Sequence, residues 1–408
     1  MTHIAAFVAG TFVASAIVAH AVPRSRTRPE RYKTLDTFAQ ALSYIQTSYV
    51  KRVDERRLLY GAIRGMVDEL DPHSTFLTPR RYRSMREDTD GKFAGIGIKL
   101  RDDRASTPVV DSVVPSSPAA RAKIRPGDRL LEIDGAKTGV VVKRGWHHLL
   151  RGRAGSRIRL LVIRSGWRRA RRFELVRQRI VVPTVEELGL ESGIGYLSIA
   201  RFQEATARDT ERALRQLQVD AGGRLQGLVL DLRNNPGGLL DQSVQVADLF
   251  LGRGLIVSVI GRPGSKVERH RAHAAGSWTG FRMIVLVDRG TASAAEIVAG
   301  ALQDNRRAKI LGGKTYGKGS VQTFIDLKDG SGLKLTTAHY YTPQGRSLEG
   351  VGIKPDIYWS GEGSRVRRRN RTRWWSRLPA KLRKKLGDDP QLFTGYQTLR
   401  SWLGSNSR

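Results

Sequence analysis

A short stretch in the C-terminal half of the chain most constrains the fold. Residues 283–287 are uniformly apolar and predict a buried strand. Residues 297–302 have apolar side chains at helical spacing and include good helix formers. Ser293 lies between these two segments, and its neighbours Gly290, Ala292 and Ala294 are small. Ser293 is therefore expected where a strand turns sharply into a helix, among residues small enough to let another backbone segment approach.

Ser293 is a candidate nucleophile. A hydroxyl at a helix N-terminus lies near free N–H groups that stabilise developing negative charge. Serine reacts slowly without a base, and Lys318, held between two glycines, is the candidate. A lysine acts as a base only when burial or nearby cations make it neutral. Gln322 lies four residues on, so a strand or a helix would put both side chains on one side, where an uncharged amide can orient the amine.

A third segment carries backbone donors. Residues 228–232 predict an apolar strand, and a polar turn ending in Gly237 and Gly238 follows it. Such a loop exposes N–H groups. We expect it to form one half of an oxyanion hole, with the N–H of Ala294 as the other half.

These three segments, in this order, resemble the carboxyl-terminal processing peptidases, the S41 family of serine proteases with a Ser-Lys catalytic pair. The resemblance also covers residues 70–74, 93–98 and 341–347, and extends from about residue 34 to residue 356. It implies that Ser293 is the nucleophile, Lys318 the general base and Gln322 the residue that positions the lysine. It implies a serine endopeptidase without a cofactor.

A histidine base is the alternative for this site. The predicted core contains His270, His273 and His339, none of which has the glycine-flanked setting of Lys318. His73 follows a helix end, far in sequence from Ser293, and a structural role is favoured for it.

Two carboxylates on the predicted helix also need roles. Asp304 could organise the site, but an ion pair at the helix end is favoured. Glu296 lies near the helix start, where a carboxylate interacts favourably with the helix dipole. No His, Asp or Glu cluster has the spacing of a metal site, so no metal is expected.

The predicted fold class is α/β, because strands and helices alternate from residue 194 to residue 302. The resemblance implies a crotonase/ClpP-like layered protease core, an inserted β-rich PDZ domain and an N-terminal helical region. A chain of 408 residues is long enough for these parts. The expected boundaries are 1–23 for a signal peptide or membrane anchor, 34–90 for the helical region, 91–180 for the PDZ domain, 181–358 for the core and 359–408 for a basic C-terminal tail with a short helix.

The PDZ prediction rests on residues 93–98 and on residues 117–135, which match the PDZ pattern. The first segment resembles the loop that receives a peptide's terminal carboxylate, and the strand after it would pair with the peptide by β-augmentation. A helix over 140–151 would line the groove. The predicted peptide-binding residues are Gly95, Ile96, Gly97, Ile98, Leu149 and Leu150.

The N-terminal run 4–22 is apolar, and residues 19–21 fit a small-x-small cleavage site. The run is also about long enough to span a bilayer. The basic stretch 24–33 would by itself favour a cytoplasmic C-terminal side, but long domains translocate regardless of local charge. We therefore favour export to the periplasmic side of the cell envelope, with cleavage or retention of the segment left open.

The formal net charge of +33 favours anionic partners, and the chain has no cysteine. A membrane or cell-wall surface is the expected partner, and a merely solvated basic surface is the alternative. Residues 365–377 are strongly basic and contain a tryptophan pair, which fits a membrane interface or a nucleic-acid contact. A flexible solvated linker is the alternative for this segment. An apolar stripe after it is expected to dock on another domain or subunit. Its members are Leu392, Tyr396, Leu399 and Trp402.

Two main functions are weighed. The first is an envelope endopeptidase that cleaves unfolded proteins, or proteins with exposed C-termini captured by the PDZ domain. An activating adaptor and a homo-oligomer are expected for it. The second is a catalytically silent PDZ adaptor on a basic, membrane-anchored scaffold, which the retention of Ser293, Lys318 and Gln322 disfavours. Nucleic-acid binding is a weaker third, because an exported protein would rarely meet DNA.

Overall fold

A computed structural model describes residues 28–90, 92–101, 107–140, 147–190, 193–265, 267–359 and 386–404. The predicted signal peptide or anchor lies outside these residues, as does the basic stretch 365–377. Among the described helices, none is both long enough and apolar enough to cross a membrane. Residues up to Met66 belong to one compact unit and the rest of the chain to a second.

The described helices are α1 (Arg28–Ser48), α2 (Glu55–Asp68), α3 (Pro79–Asp90), α4 (Pro118–Arg121), α5 (His147–Leu150), α6 (Thr206–Asp220), α7 (Leu240–Phe250), α8 (Ala294–Asp304) and α9 (Pro390–Gly404). The described strands are β1 (Thr75–Leu77), β2 (Lys92–Gly95), β3 (Ile98–Leu100), β4 (Val110–Val113), β5 (Arg129–Ile133), β6 (Ala136–Lys137), β7 (Arg157–Ile163), β8 (Arg171–Val176), β9 (Gln178–Val181), β10 (Val185–Gly189), β11 (Ile194–Ile199), β12 (Gly227–Asp231), β13 (Leu255–Ile260), β14 (Glu268–Arg271), β15 (Arg282–Val287), β16 (Lys309–Gly312), β17 (Ser320–Asp326), β18 (Gly332–Tyr341) and β19 (Ile357–Tyr358).

The first unit contains α1 and most of α2, as the helical periodicity predicts. Several apolar side chains of α1 are exposed in it, including Leu35 at 61% and Phe38 at 44%. The region predicted to be helical also contains one strand, β1, which belongs to the second unit. Residues Thr75–Leu77 are extended there because they pair with the edge of β18, which overrides the local helical trend.

A six-stranded sheet forms the middle of the second unit, in the order β10-β11-β12-β15-β16-β19. Its strands run parallel except for the antiparallel edge pair β10–β11. Helices α6, α7 and α8 cover one face and bury the larger hydrophobic core. Strand β12 is buried along its whole length, as expected for a parallel strand covered on both sides. The predicted α/β class is confirmed.

The C-terminal helix α9 covers the other face of this sheet. Its side chains Leu392, Tyr396 and Leu399 are fully buried and pack in one cluster with sheet residues such as Val229 and Ile284. Sheet residues alternate between the two faces, so each face needs its own apolar cover. The stripe, which the sequence predicts to dock on another domain or subunit, docks on the core sheet of its own chain.

A second, antiparallel sheet has the order β1-β18-β13-β14, and β17 also pairs with β18. In the β17–β18 hairpin, Gln322 is opposite Thr336 and Phe324 is opposite Lys334. Residues two apart on a strand point to the same face, so these four side chains share one face of the hairpin.

The inserted β-rich domain lies between α3 and β10. It contains the four-stranded sheet β6-β5-β7-β8 and the pairs β2–β9 and β3–β4 around its own apolar core. Strands β2 and β9 pair antiparallel, with Lys92 opposite Val181, so the two ends of the domain are adjacent. Of the helix predicted over 140–151, the structure describes only the turn α5; residues 141–146 lie outside the described chain.

Candidate active site

Ser293 lies at the N-terminus of α8, a short loop after the end of β15, where the sequence predicts it. Its φ is +55°, a left-handed backbone conformation that is uncommon for a residue other than glycine. The surrounding structure must hold this conformation, because it is energetically costly in isolation. The side chain is 9% exposed, so the hydroxyl faces a confined space.

Gly237 packs directly against this turn. A Cβ atom built on Gly237 would lie 2.8 Å from Ser293 Cβ and 2.9 Å from the Ala294 nitrogen. The N–H of Ala292 donates to the Asn235 carbonyl oxygen at 2.9 Å, which joins the two loops. Only glycine allows this approach. The second backbone segment that the sequence predicts to lie close to Ser293 is therefore the loop at 234–238.

The three predicted oxyanion-hole residues are brought together, but their N–H groups differ in availability. The N–H of Gly237 donates to Asn235 Oδ1 at 2.8 Å. Gly238 lies opposite Phe202 in a parallel β-bridge, whose two hydrogen bonds use the Gly237 carbonyl oxygen and the Leu239 N–H. The N–H of Gly238 itself therefore points away from Phe202. Within the described residues, the N–H groups of Gly238 and Ala294 have no hydrogen-bond acceptor. Gly238 and Ala294 therefore have the free donors, and Gly237 serves the close packing.

Lys318 is half-buried, and its Nζ donates to Ser320 Oγ at 3.3 Å. Burial lowers the pKa of Lys318 below the ordinary value of 10.5, and the positive charge of Lys334 lowers it further. Glu349 and Asp71 act in the opposite direction. The structure thus supplies both conditions that a lysine base requires, a desolvated setting and a neighbouring cation.

Gln322 is oriented by hydroxyl groups. Its Nε2 donates to Thr336 Oγ1 at 2.9 Å and to Ser320 Oγ at 3.4 Å. Its Oε1 is buried and has no hydrogen-bond partner in the described part of the chain. An unpaired carbonyl oxygen of this kind can accept a hydrogen bond from an ammonium group.

Ser293 and Lys318 are not hydrogen-bonded to each other among the described residues. The Ser293 side chain instead shares the cleft with the phenol of Tyr340. Burial raises the pKa of Tyr340 to about 12, and Ser293 opposes that rise. The phenol is therefore neutral near pH 7.

Glu296 has a role that the sequence analysis missed. Its side chain is fully buried, and Oε2 accepts the N–H groups of Ser293 and Lys318, each at 2.8 Å. Oε1 accepts the Thr315 hydroxyl and the Gly317 N–H. One carboxylate thus connects Ser293 to the loop that carries Lys318. The three-residue spacing from Ser293 is that of a capping box, and this signal could have found it.

The motif at residues 70–74 also reaches the site. Asp71 accepts the Thr336 hydroxyl at 3.1 Å and the Ser74 hydroxyl at 2.7 Å. Burial would raise the pKa of Asp71, but hydrogen bonds, foremost from Ser74, lower it to about 2. Because Thr336 also accepts from Gln322, the motif holds the strand that orients the Gln322 amide.

A cleft of about 460 Å³ collects the predicted residues; its lining includes Gly237, Gly238, Ser293, Lys318 and Gln322. Most of its other lining side chains are apolar. No described histidine lines it, so the alternative bases lie elsewhere. His273 is exposed and contacts Asp248, and His339 is exposed on β18.

Asp304 is also remote from the cleft. It pairs with Arg346 and accepts the N–H of Gln344, as an ion pair at a helix end would. Among the residues that the structure describes, no group of three His, Cys, Asp or Glu side chains could hold a metal ion.

The predicted peptide-binding residues of the inserted domain divide into two groups. Ile96 and Leu150 are buried in that domain's core, whereas Ile98 and Leu149 are half-buried at its margin. Gly97 has a φ of +79°, and a Cβ there would lie 2.2 Å from Ser117 Cβ. Among the described strands, β3 pairs only with β4, so its other edge is open.

Three family models match the chain. Peptidase family S41 matches residues 193–359, the N-terminal domain of the activating protease CtpB matches residues 6–79, and a PDZ domain matches residues 109–164.

Named relatives agree with these matches. The chain is 40% identical over 353 residues to a carboxy-terminal-processing protease of Bartonella bacilliformis, which covers 86% of this chain and 81% of the relative. It is 34% identical over 319 residues to a carboxyl-terminal-processing protease of Synechocystis sp., which covers 76% of this chain and 74% of the relative. A solved structure, the photosystem II D1 C-terminal processing protease, is similar with a TM-score of 0.49 and 31% identity, covering 82% of this chain and 92% of that one.

Proposed function

Because this chain belongs to peptidase family S41 and is a serine peptidase, we propose that it cleaves proteins with Ser293 as nucleophile and Lys318 as general base. One observation carries the proposal: Ser293, Lys318 and Gln322 line a single cleft in which burial and Lys334 lower the pKa of the lysine. A neutral amine in that setting can take the proton of the hydroxyl.

The reaction then runs in two stages. Ser293 Oγ attacks the carbonyl carbon of the scissile bond while its proton passes to Lys318 Nζ. The free N–H groups of Gly238 and Ala294 stabilise the resulting oxyanion. Lys318 returns the proton to the leaving amine as the C–N bond breaks. Water then hydrolyses the ester on Ser293, with the lysine again acting as base.

The site requires a rearrangement before this chemistry. Lys318 donates to Ser320 rather than to Ser293, and Gln322 Oε1 has no partner within the described residues. Side-chain rotation of Lys318 toward Ser293 and Gln322 would exchange these contacts for the productive ones. We propose that substrate binding favours this exchange, because a bound peptide excludes water and strengthens hydrogen bonds in the cleft.

Cleavage of an unfolded protein tests this mechanism. The chain lacking residues 1–23 should degrade the substrate, whereas Ser293→Ala and Lys318→Ala should both be inactive. The two losses should be equal, because neither residue works without the other. Equal cleavage by wild type and Ser293→Ala would end the proposal. A catalytically silent PDZ adaptor would then be the remaining hypothesis.

We further propose that the PDZ domain captures substrate C-termini. The open edge of β3, with Ile98 and Leu149 beside it, suits an added peptide strand. Gly97→Ala should abolish binding of a C-terminal peptide to the Ser293→Ala protein, because its Cβ would clash with Ser117. Gly155→Ala is the control, since Gly155 has a similar φ of +84° and open space around it.

The setting in the cell is also proposed. The apolar N-terminal run supports export to the periplasmic side of the envelope, and the net charge supports contact with an anionic membrane or cell-wall surface. The exposed apolar side chains of α1 and the match to an activating protease's N-terminal domain support a homo-oligomer and an activating adaptor.

A further inference from the structure

The charges around the cleft are all of one sign. Arg201, Lys318 and Lys334 line it, and no described carboxylate does. Its other walls are largely apolar and include Met85, Leu239, Leu240, Val321 and Phe324. A peptide that enters this cleft meets apolar surface and an excess of positive charge.

Lys334 lowers the pKa of Lys318 in the proposed mechanism, but that mechanism gives it no contact with the substrate. It lies on β18, opposite Phe324 and two residues from Thr336, so it is on the hairpin face that also carries Gln322. The side chain is half-buried. Strand pairing on both sides, with β1 and β17, fixes the position of its backbone.

Lys334 has no neutralising partner in the part of the chain that the structure describes. Within the described residues, Lys334 Nζ forms neither an ion pair nor a hydrogen bond. Asp71 is the carboxylate whose charge acts on it, but the oxygens of Asp71 already accept from Ser74 and Thr336. A partly desolvated cation without a partner is costly, and a carboxylate brought to it by a ligand would relieve that cost.

We propose that Lys334 binds a carboxylate of the substrate, so that the peptidase prefers apolar segments with one carboxylate close to the scissile bond. The inference rests on the proposed function, since it concerns the same cleft. Lys318 cannot serve this purpose, because a bound carboxylate would keep it protonated. The carboxylate can come from an aspartate or glutamate side chain or from the substrate's own C-terminus.

Four internally quenched peptides with one apolar sequence distinguish these sources. They combine a glutamate or a glutamine near the scissile bond with a free or an amidated C-terminus. The wild-type chain without residues 1–23 should cleave one carboxylate-bearing peptide with a kcat/KM about tenfold above that of its matched amide. A preference for glutamate over glutamine identifies a side-chain carboxylate, and a preference for the free over the amidated C-terminus identifies the terminal carboxylate.

Variants of Lys334 assign the preference to this residue. Lys334→Met should remove it, mainly by raising KM for the carboxylate peptide, and Lys334→Arg should retain part of it. Lys328→Met is the matched control, because Lys328 is an exposed lysine of the same hairpin, outside the cleft. Gly97→Ala must leave the preference in place; if it removes the preference, the PDZ domain is the carboxylate receptor and the inference is overturned.

Other results would also overturn it. If Lys334→Met lowers the cleavage of all four peptides by the same factor, the residue acts on Lys318 alone. If the wild type shows no preference between matched carboxylate and amide peptides, the inference fails without any variant. In both cases the Ser-Lys mechanism stands as long as Ser293→Ala is inactive, so the two failures are distinguishable.

Discussion

At the scale of single residues, the site depends on balancing charges around two side chains. Lys318 needs a positive neighbour and little negative charge nearby, and Lys334 supplies the first. Glu296 is the negative charge closest along the chain to Ser293, but backbone and hydroxyl donors surround its carboxylate. It therefore holds the site in place without any ion pair to the lysine.

The pH dependence follows from the protonation of Lys318. In the proposed mechanism only its neutral form accepts the serine proton, so kcat/KM should rise as pH increases through its pKa, which burial and Lys334 place below 10.5. Removing the Lys334 charge in Lys334→Met raises that pKa and should shift the rising limb to higher pH. Lys328→Met should leave the profile unchanged. A rate that rises as pH falls would contradict a lysine base.

Glu296→Gln should cost both activity and stability. Its amide has one acceptor oxygen and an NH₂ group, so two of the four donors would face another donor. Each unpaired buried donor costs about 1–3 kcal/mol, and we expect kcat/KM to fall at least about tenfold. Denaturant unfolding and peptide cleavage measure the two effects. Glu187→Gln, an exposed change on β10, is the control; equal behaviour of both variants would refute the role of Glu296.

At the scale of elements, helix α9 connects the far face of the sheet to the oxyanion loop. Asp389, just before α9, accepts two hydrogen bonds from Arg233, which also binds Asp231 at the end of β12. Burial alone would lower the pKa of Arg233, but these carboxylates raise it, so the guanidinium stays charged. Arg233 begins the loop that continues to Gly238.

Asp389→Asn should loosen this connection. The pair is largely buried, with 17% and 27% of the two side chains exposed. Losing a hydrogen bond between charged groups should cost about 2 kcal/mol of unfolding free energy. Burial raises the pKa of Asp389, but hydrogen bonds from Arg233 outweigh this and lower it below 3.8. Its contribution is therefore present above that pH and lost as pH falls through the folded-state pKa.

Denaturant unfolding at neutral and at acidic pH tests this. The difference between wild type and Asp389→Asn should shrink as the pH falls below 3.8. Asp388→Asn, the exposed neighbour, should match wild type throughout. A difference that persists undiminished in acid would show that the charge of Asp389 does not carry the effect.

At the scale of the whole molecule, the net charge of +33 dominates long-range interactions. We expect the chain lacking residues 1–23 to co-sediment with anionic lipid vesicles at about 0.1 M salt and to be released at about 1 M. Over that range the screening length falls from about 10 Å to about 3 Å. Neutral vesicles are the control. Binding to both kinds of vesicle, or binding that resists salt, would refute an electrostatic attachment.

Local pattern determined the larger part of what is known of this protein. Periodicity predicts the strands and helices of the core, because burial imposes a period of two or 3.6 on apolar residues. The order of the motifs also assigns Ser293, Lys318, Gln322 and the glycine loop to one site. These assignments depend on neighbours along the chain and on small residues at a sharp turn.

Contacts between distant segments decided the rest. No local pattern connects the segments that meet in the four donors to Glu296, in the link from Asp71 to Gln322 and in the Arg233–Asp389 pair. Nor does it show that Lys334 has no partner within the described residues. Tertiary packing also engages the N–H of Gly237 and buries α9 on its own sheet. A residue's burial, charge state and free hydrogen-bonding groups depend on what packs against it, and that is set only when the whole chain has folded.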